Sequence, residues 1–157
     1  MFTGDASGKF LYKALYTLGL ANQPEAIETN DGLMLKDTYI TAAVRCAPPQ
    51  NKPSLEEIHR CVSFVDEEIK MLPRLRVIVA LGKIAHDAYL YSIKEKYSKF
   101  PFKHGAVHQW ETGPAMIDIY HPSRQNTQTG LLTMPMFLDV LSKAKKMADQ
   151  KNHLLNR

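Results

Sequence analysis

The chemistry of this chain concentrates in ten residues, His121-Pro122-Ser123-Arg124-Gln125-Asn126-Thr127-Gln128-Thr129-Gly130. They follow a strand-like run, Ala115 to Tyr120. A histidine is therefore presented at the carboxyl end of an expected parallel strand, the edge at which open α/β sheets bind ligands. The stretch is too long and too polar for a plain connection. An imidazole placed there can donate a hydrogen bond or exchange a proton near neutral pH. A histidine that merely ends a strand does neither, and the residue alone fits both readings.

Other residues with chemical potential are sparser. Asp5 lies between Gly4 and the first helix, where an aspartate is an ordinary N-cap as readily as a working acid. Cys46 and Cys61 are the only cysteines, fifteen positions apart. In a cytoplasmic chain a structural disulfide is not expected, so two buried free thiols are the plain reading. A four-thiolate metal site would need two more ligands than this chain has. Basic residues gather at Lys94, Lys96, Lys99 and Lys103, and again at Lys143, Lys145, Lys146, Lys151 and Arg157. With a formal net charge of +4, these clusters suit a polyanionic partner but fit solvated faces equally well.

The elements that must position these residues follow from periodicity. Leu11, Ala14, Leu15 and Leu18 share one face of a helix expected from Phe10 to Leu20, with Asp5 or Ser7 as cap. Asn22 to Lys36 is turn-rich, and Thr38 to Val44 is a β-branched and aromatic run, expected as a strand. Pro48 to Pro53 forbids regular structure. Ser54 with Glu57 forms a capping box for a helix ending before Pro73. Arg76 to Leu81 is a nearly continuous apolar strand, which Gly82 turns into a helix from Lys83 to Tyr91. Lys94 to Gln109 reads as irregular, and Met134 to Asp149 as the last helix. Alternating strands and helices imply α/β architecture, in one domain over residues 1–157. No apolar run is long enough for a membrane span and no secretory signal is visible, so a cytoplasmic protein is expected. Leu81-Gly82-Lys83 lacks a phosphate-loop pattern, which argues against a nucleotide-binding module.

Four blocks in matching order resemble the uracil-DNA glycosylase superfamily, and most closely its type 5 (class b) enzymes. They are Phe2 to Gly8, Tyr39 to Pro53 together with Cys61, Val79 to Ala85, and His121 to Gly130. The resemblance implies a three-layer α/β/α sandwich with a short, mainly parallel central sheet. In that family a Gly- and Ala-rich first motif and an N-terminal pair of cysteines precede the position of Phe2. This chain therefore reads as lacking its N-terminal strand and segment, either opening at an internal methionine or as a fragment.

The implied function is excision of uracil, and of other deaminated bases, from DNA by hydrolysis of the N-glycosidic bond, leaving an abasic site. The alternative is a catalytically impaired DNA-binding fragment of such an enzyme. By resemblance, His121 donates to the base as negative charge builds there, and Asp5 stabilises the sugar or orients water. Phe2 stacks on the extruded base, and Asn126 contacts it or the neighbouring phosphate. Ala42 stands where type 4 enzymes carry an Asn that reads the uracil edge, so a broader range of bases is expected. Ser123, Arg124, Gln125 and Gln128 grip the DNA. Leu131 replaces a basic residue common in such enzymes. Cys46 and Cys61 are two of four ligands to a structural [4Fe–4S] cluster, the other two being expected upstream of Met1. The implied partners are damaged DNA and, as a candidate, a sliding clamp. The protein is expected to act as a monomer near the nucleoid.

Overall fold

The computed structural model describes residues 4–28, 30–45 and 53–155, with Leu55 and residues 151–155 as backbone only. The elements are α1 (Ala6–Thr17), α2 (Leu55–Lys70), β1 (Val77–Leu81), α3 (Lys83–Ser92), β2 (Val107–His108), β3 (Ala115–Ile119), α4 (Arg124–Gln128) and α5 (Met134–Leu155). They form two compact units, Met1–Ile40 with Tyr120–Lys143 and Thr41–Ile119 with Ala144–Arg157. None of the described helices is long and apolar enough to cross a membrane.

In the first unit, α1 begins a turn before the expected position because the Asp5 carboxylate accepts the Gly8 N–H at 2.5 Å. That bond satisfies one of the orphan donors at the helix start. Leu11, Ala14 and Leu15 are buried as the helical spacing requires. Phe10 meets Phe137 of α5 edge to face, ring centres 5.3 Å apart.

The second unit carries a mixed three-stranded sheet in the order β1-β3-β2. β1 and β3 are parallel, Val77 opposite Ala115 through Leu81 opposite Ile119, and β2 pairs antiparallel with β3. α3 packs on β1 and against α2. Ala80, Tyr89, Leu90 and Met116 form one buried cluster, and Ile58, Val62 and Ala88 another. The capping box at Ser54 and Glu57 forms with both reciprocal bonds. Gly82 adopts φ 90°, a left-handed value open to glycine, and donates to the Ile119 carbonyl at 2.8 Å where the chain leaves β1 for α3. The fold class is α/β, a small mixed sheet with helices consistent with an α/β sandwich.

Three expectations change. Thr38 to Val44 forms no strand among the described residues; Ala43 and Val44 instead pack against Ile58, Val62 and Ala88. β-propensity reports fit to a half-buried surface, and a helix face supplies that as well as a neighbouring strand does. Lys94 to Gln109 is not wholly irregular, since it contains β2. The polar loop after His121 folds into α4 because Ser123 caps it.

Candidate active site

The site is built from the chain that follows β3. Pro122 is fully buried and fixes the chain beside His121. The Ser123 hydroxyl oxygen accepts the Asn126 N–H at 3.3 Å, starting α4, and the Ser123 carbonyl accepts the Thr127 N–H at 3.0 Å. The Asn126 side-chain amide donates to the His121 carbonyl at 2.8 Å, while the Asn126 backbone carbonyl accepts the Leu132 N–H at 3.0 Å. Asn126 therefore ties the backbone of the histidine to the residues that precede α5.

His121 is half-buried. Burial pushes its imidazole below the ordinary value of 6.5, and the negative charge of Asp5 only partly offsets this. The ring is therefore neutral at pH 7, with one nitrogen able to donate and the other to accept. Asp5 is exposed and caps α1 while sharing an electrostatic environment with His121. Arg124, Gln125 and Gln128 are exposed on α4, with Arg124 and Gln128 four positions apart and so on one face.

Of the residues singled out in the sequence, Asp5, His121, Ser123, Arg124, Gln125, Asn126 and Gln128 all belong to the first unit. The Asn126 amide nitrogen is engaged by the His121 carbonyl. Ala42 and Cys61 belong to the second unit, half-buried and buried respectively. Phe2 and Cys46 lie outside the described residues.

The sequence reading missed a buried polar cluster in the second unit. Asp118 is fully buried near the carboxyl end of β3, with His86 of α3 and His108 of β2 on its two oxygens at 2.7 and 2.9 Å. The other His86 nitrogen faces the Phe100 carbonyl at 2.8 Å, and the Lys103 N–H donates to Asp118 at 3.1 Å. The one available signal was an aspartate inside an otherwise apolar strand, since the two histidines share neither element nor periodicity. The ligand-capable atoms lie within 4.8 Å of one another, as a metal site requires. Their separations, however, are those of hydrogen bonds, and both His86 nitrogens face acceptors. Two acceptors on one ring favour the protonated form of His86 against the Asp118 carboxylate. Burial pulls the His86 pKa down, but the hydrogen bond and charge of Asp118 and the Phe100 carbonyl outweigh it and leave the value raised. Burial likewise pushes Asp118 up, but bonds from His86, His108 and the Lys103 amide leave it lowered.

A family model, the uracil DNA glycosylase superfamily, matches residues 1–145. The chain belongs to the uracil DNA glycosylase superfamily. It is 50% identical over 147 residues to a type-5 uracil-DNA glycosylase of Thermus thermophilus, covering 94% of this chain and 67% of that protein. It is 43% identical to another type-5 enzyme from Pyrobaculum aerophilum, covering 92% of this chain and 62% of the relative. A type-4 uracil-DNA glycosylase of Archaeoglobus fulgidus is 28% identical, covering 75% of this chain and 54% of its own length. The chain thus spans about two thirds of the length of the type-5 relatives it matches, 67% and 62% in these two.

A four-thiolate cluster can be tested against the second unit of this superfamily member. Cys61 is a free, buried thiol on α2. Arg45, the residue before Cys46, is ion-paired with Glu68 at 2.5 Å, and its guanidinium lies 4.6 Å above the Phe64 ring. Thr41 also donates to Glu68. Thr41 and Arg45 are thus both fixed to α2, the helix that carries Cys61. Two thiols fit half of such a set.

Proposed function

We propose that this protein is a DNA repair glycosylase that hydrolyses the N-glycosidic bond of uracil and of other deaminated bases, leaving an abasic site. The observation that carries this reading is the half-buried His121 at the end of β3, its backbone carbonyl anchored by the Asn126 side chain. The identity to type-5 enzymes supports it.

In the reaction the bond between C1′ of the sugar and the base nitrogen breaks, and its electron pair leaves with the base. Negative charge then spreads onto the base oxygen, where a neutral imidazole N–H stabilises it by hydrogen bonding without transferring its proton. The sugar becomes cation-like, and the Asp5 carboxylate stabilises it or orients the water. The water oxygen bonds to C1′ and its proton passes to solvent or to the carboxylate. The target base must first leave the stack, and Phe2 stacks on it once extruded. Ser123, Arg124, Gln125 and Gln128 hold the backbone beside the gap, and Asn126 contributes chiefly by holding His121. With alanine at position 42, no side-chain amide reads the uracil edge, which favours a broader base range.

Cys46 and Cys61 would supply two thiolates to a [4Fe–4S] cluster, whose contribution is structural, holding the Arg45 loop. The remaining expectations belong to the same reading, namely a monomer acting in the cytoplasm at the nucleoid, with a sliding clamp as candidate partner.

The test is incubation with single- and double-stranded oligonucleotides carrying uracil, hypoxanthine or xanthine, followed by alkali. Strand breaks at the damaged position support the reading. Gel retardation without breaks supports the alternative, a DNA-binding chain without catalysis, and breaks at uracil alone count against the broad range.

A further inference from the structure

One basic stretch, Lys94, Lys96, Lys99 and Lys103, has no part in the chemistry above. Its last member occupies a distinctive place. Because β2 runs antiparallel to β3, the residues just before β2 lie beside the carboxyl ends of β3 and its parallel neighbour β1. The ladder continues past β2, with Gly105 N–H donating to the Asp118 carbonyl at 2.8 Å and Asp118 N–H to Ala106 at 2.9 Å. Lys103 to Ala106 then close a four-residue turn, Ala106 N–H on the Lys103 carbonyl at 2.9 Å. Gly105 takes its third position at φ 78°, the left-handed value such a turn needs there. This turn stands at the sheet edge where open α/β folds receive ligands.

The turn is held from beneath by the buried cluster. Asp118 binds the Lys103 N–H and His108, and through His86 it also fixes the Phe100 carbonyl. A single buried carboxylate thus fastens the segment from Phe100 to His108 at both ends. Burying an imidazolium and a carboxylate is favourable only when every partner is in place. What this arrangement yields is a fixed backbone that presents a cation. Lys103 is exposed and has no carboxylate partner among the described residues, whereas Lys83, at the same edge, is held by Asp87 at 2.6 Å. A preorganised charge loses less freedom when it meets an anion.

We propose that the Phe100 to Ala106 segment is a further DNA-backbone contact, with the Lys103 ammonium meeting a phosphate. This rests on the glycosylase reading, in which the polyanion at this edge is DNA. The contact is independent of base sequence.

The test is fluorescence-anisotropy titration of a labelled, undamaged duplex across a salt series, with wild type, Lys103→Ala, Lys103→Arg and Lys70→Ala. The last removes the same unit of charge from a lysine paired with Asp66 on α2. Lys103→Ala should make the slope of log affinity against log salt shallower by about 0.9, the value of one phosphate contact on duplex DNA. Its affinity should fall by up to roughly 5-fold at low salt, the reach of one exposed ion pair. Lys103→Arg should restore both, and Lys70→Ala should keep the wild-type slope. An unchanged slope in Lys103→Ala, with wild type still binding, overturns this contact alone, as does an equal change in Lys70→Ala. Failure of wild type to bind any DNA overturns the contact and the glycosylase reading together.

Discussion

The Asn126 side chain and the His121 backbone are coupled directly, amide nitrogen to carbonyl oxygen at 2.8 Å. The asparagine side chain thus fixes the backbone of the histidine within one motif. Asn126→Ala should lower kcat by roughly 10²-fold, the order expected when a reacting group is misplaced by about an ångström. DNA affinity should change little. Steady-state kinetics on a uracil-containing duplex distinguish this from substrate contact, which would raise KM and spare kcat.

Asp5 caps α1, and one pair of substitutions separates that role from the proposed service of its carboxylate to the sugar. Asparagine caps a helix as well as aspartate does, and alanine does not. Asp5→Asn should leave thermal stability near wild type, while Asp5→Ala should cost about 1 kcal/mol. Both should lose base release if the carboxylate charge serves the sugar. Full activity in Asp5→Asn would leave Asp5 as a cap and nothing more.

The pH dependence of His121 follows from its depressed pKa. On acidification, activity should persist below the ordinary imidazole value of 6.5 and fall only when the ring charges. Because Asp5 raises this pKa, Asp5→Asn should move any acid limb that remains to lower pH. For stability the sign is opposite to that of a paired histidine. The unfolded chain binds the proton first, so His121 begins to destabilise the fold as pH drops through 6.5, and its effect levels off below the folded value. Ring-proton NMR titration of His121 in both proteins measures the shift directly.

The buried cluster has its own window. With a raised His86, the stabilisation is complete below 6.5 and is lost as pH rises through the folded value. With a lowered Asp118, it is complete above 3.8 and is lost as pH falls through the folded value. Its full contribution therefore lies between about 3.8 and 6.5, in a setting that also includes His108, the Lys103 amide, and Asp87 with its partner Lys83. Asp118→Asn should cost about 3–5 kcal/mol, as breaking a buried ion pair does, and the loss should be greatest inside that window. Urea unfolding of both proteins across pH reads it out. A difference independent of pH would assign the cost to packing instead.

Much of this was legible in the residues. Ser54 with Glu57 announced α2, Gly82 announced the exit from β1, and the apolar run from Val77 to Leu81 announced a buried strand, because each signal is local. The His121 motif stood out as a candidate site because its polarity and length are unlike a connector. The cluster of His86, His108 and Asp118 was not legible, since its members meet only through sheet register and helix packing, which no window of sequence contains. Thr38 to Val44 misled for a related reason. Its composition suited a half-buried surface, and that surface turned out to include a helix.

Asp118 and its two histidines also constrain how this molecule can drift. Exchanging one member strands a partner's charge inside the protein, whereas exchanging all three for apolar side chains of similar bulk need not harm the fold. That wholesale replacement would, however, release the Lys103 turn. Descendants of this chain should therefore inherit the trio intact or surrender it together with the rigidity of that sheet-edge turn.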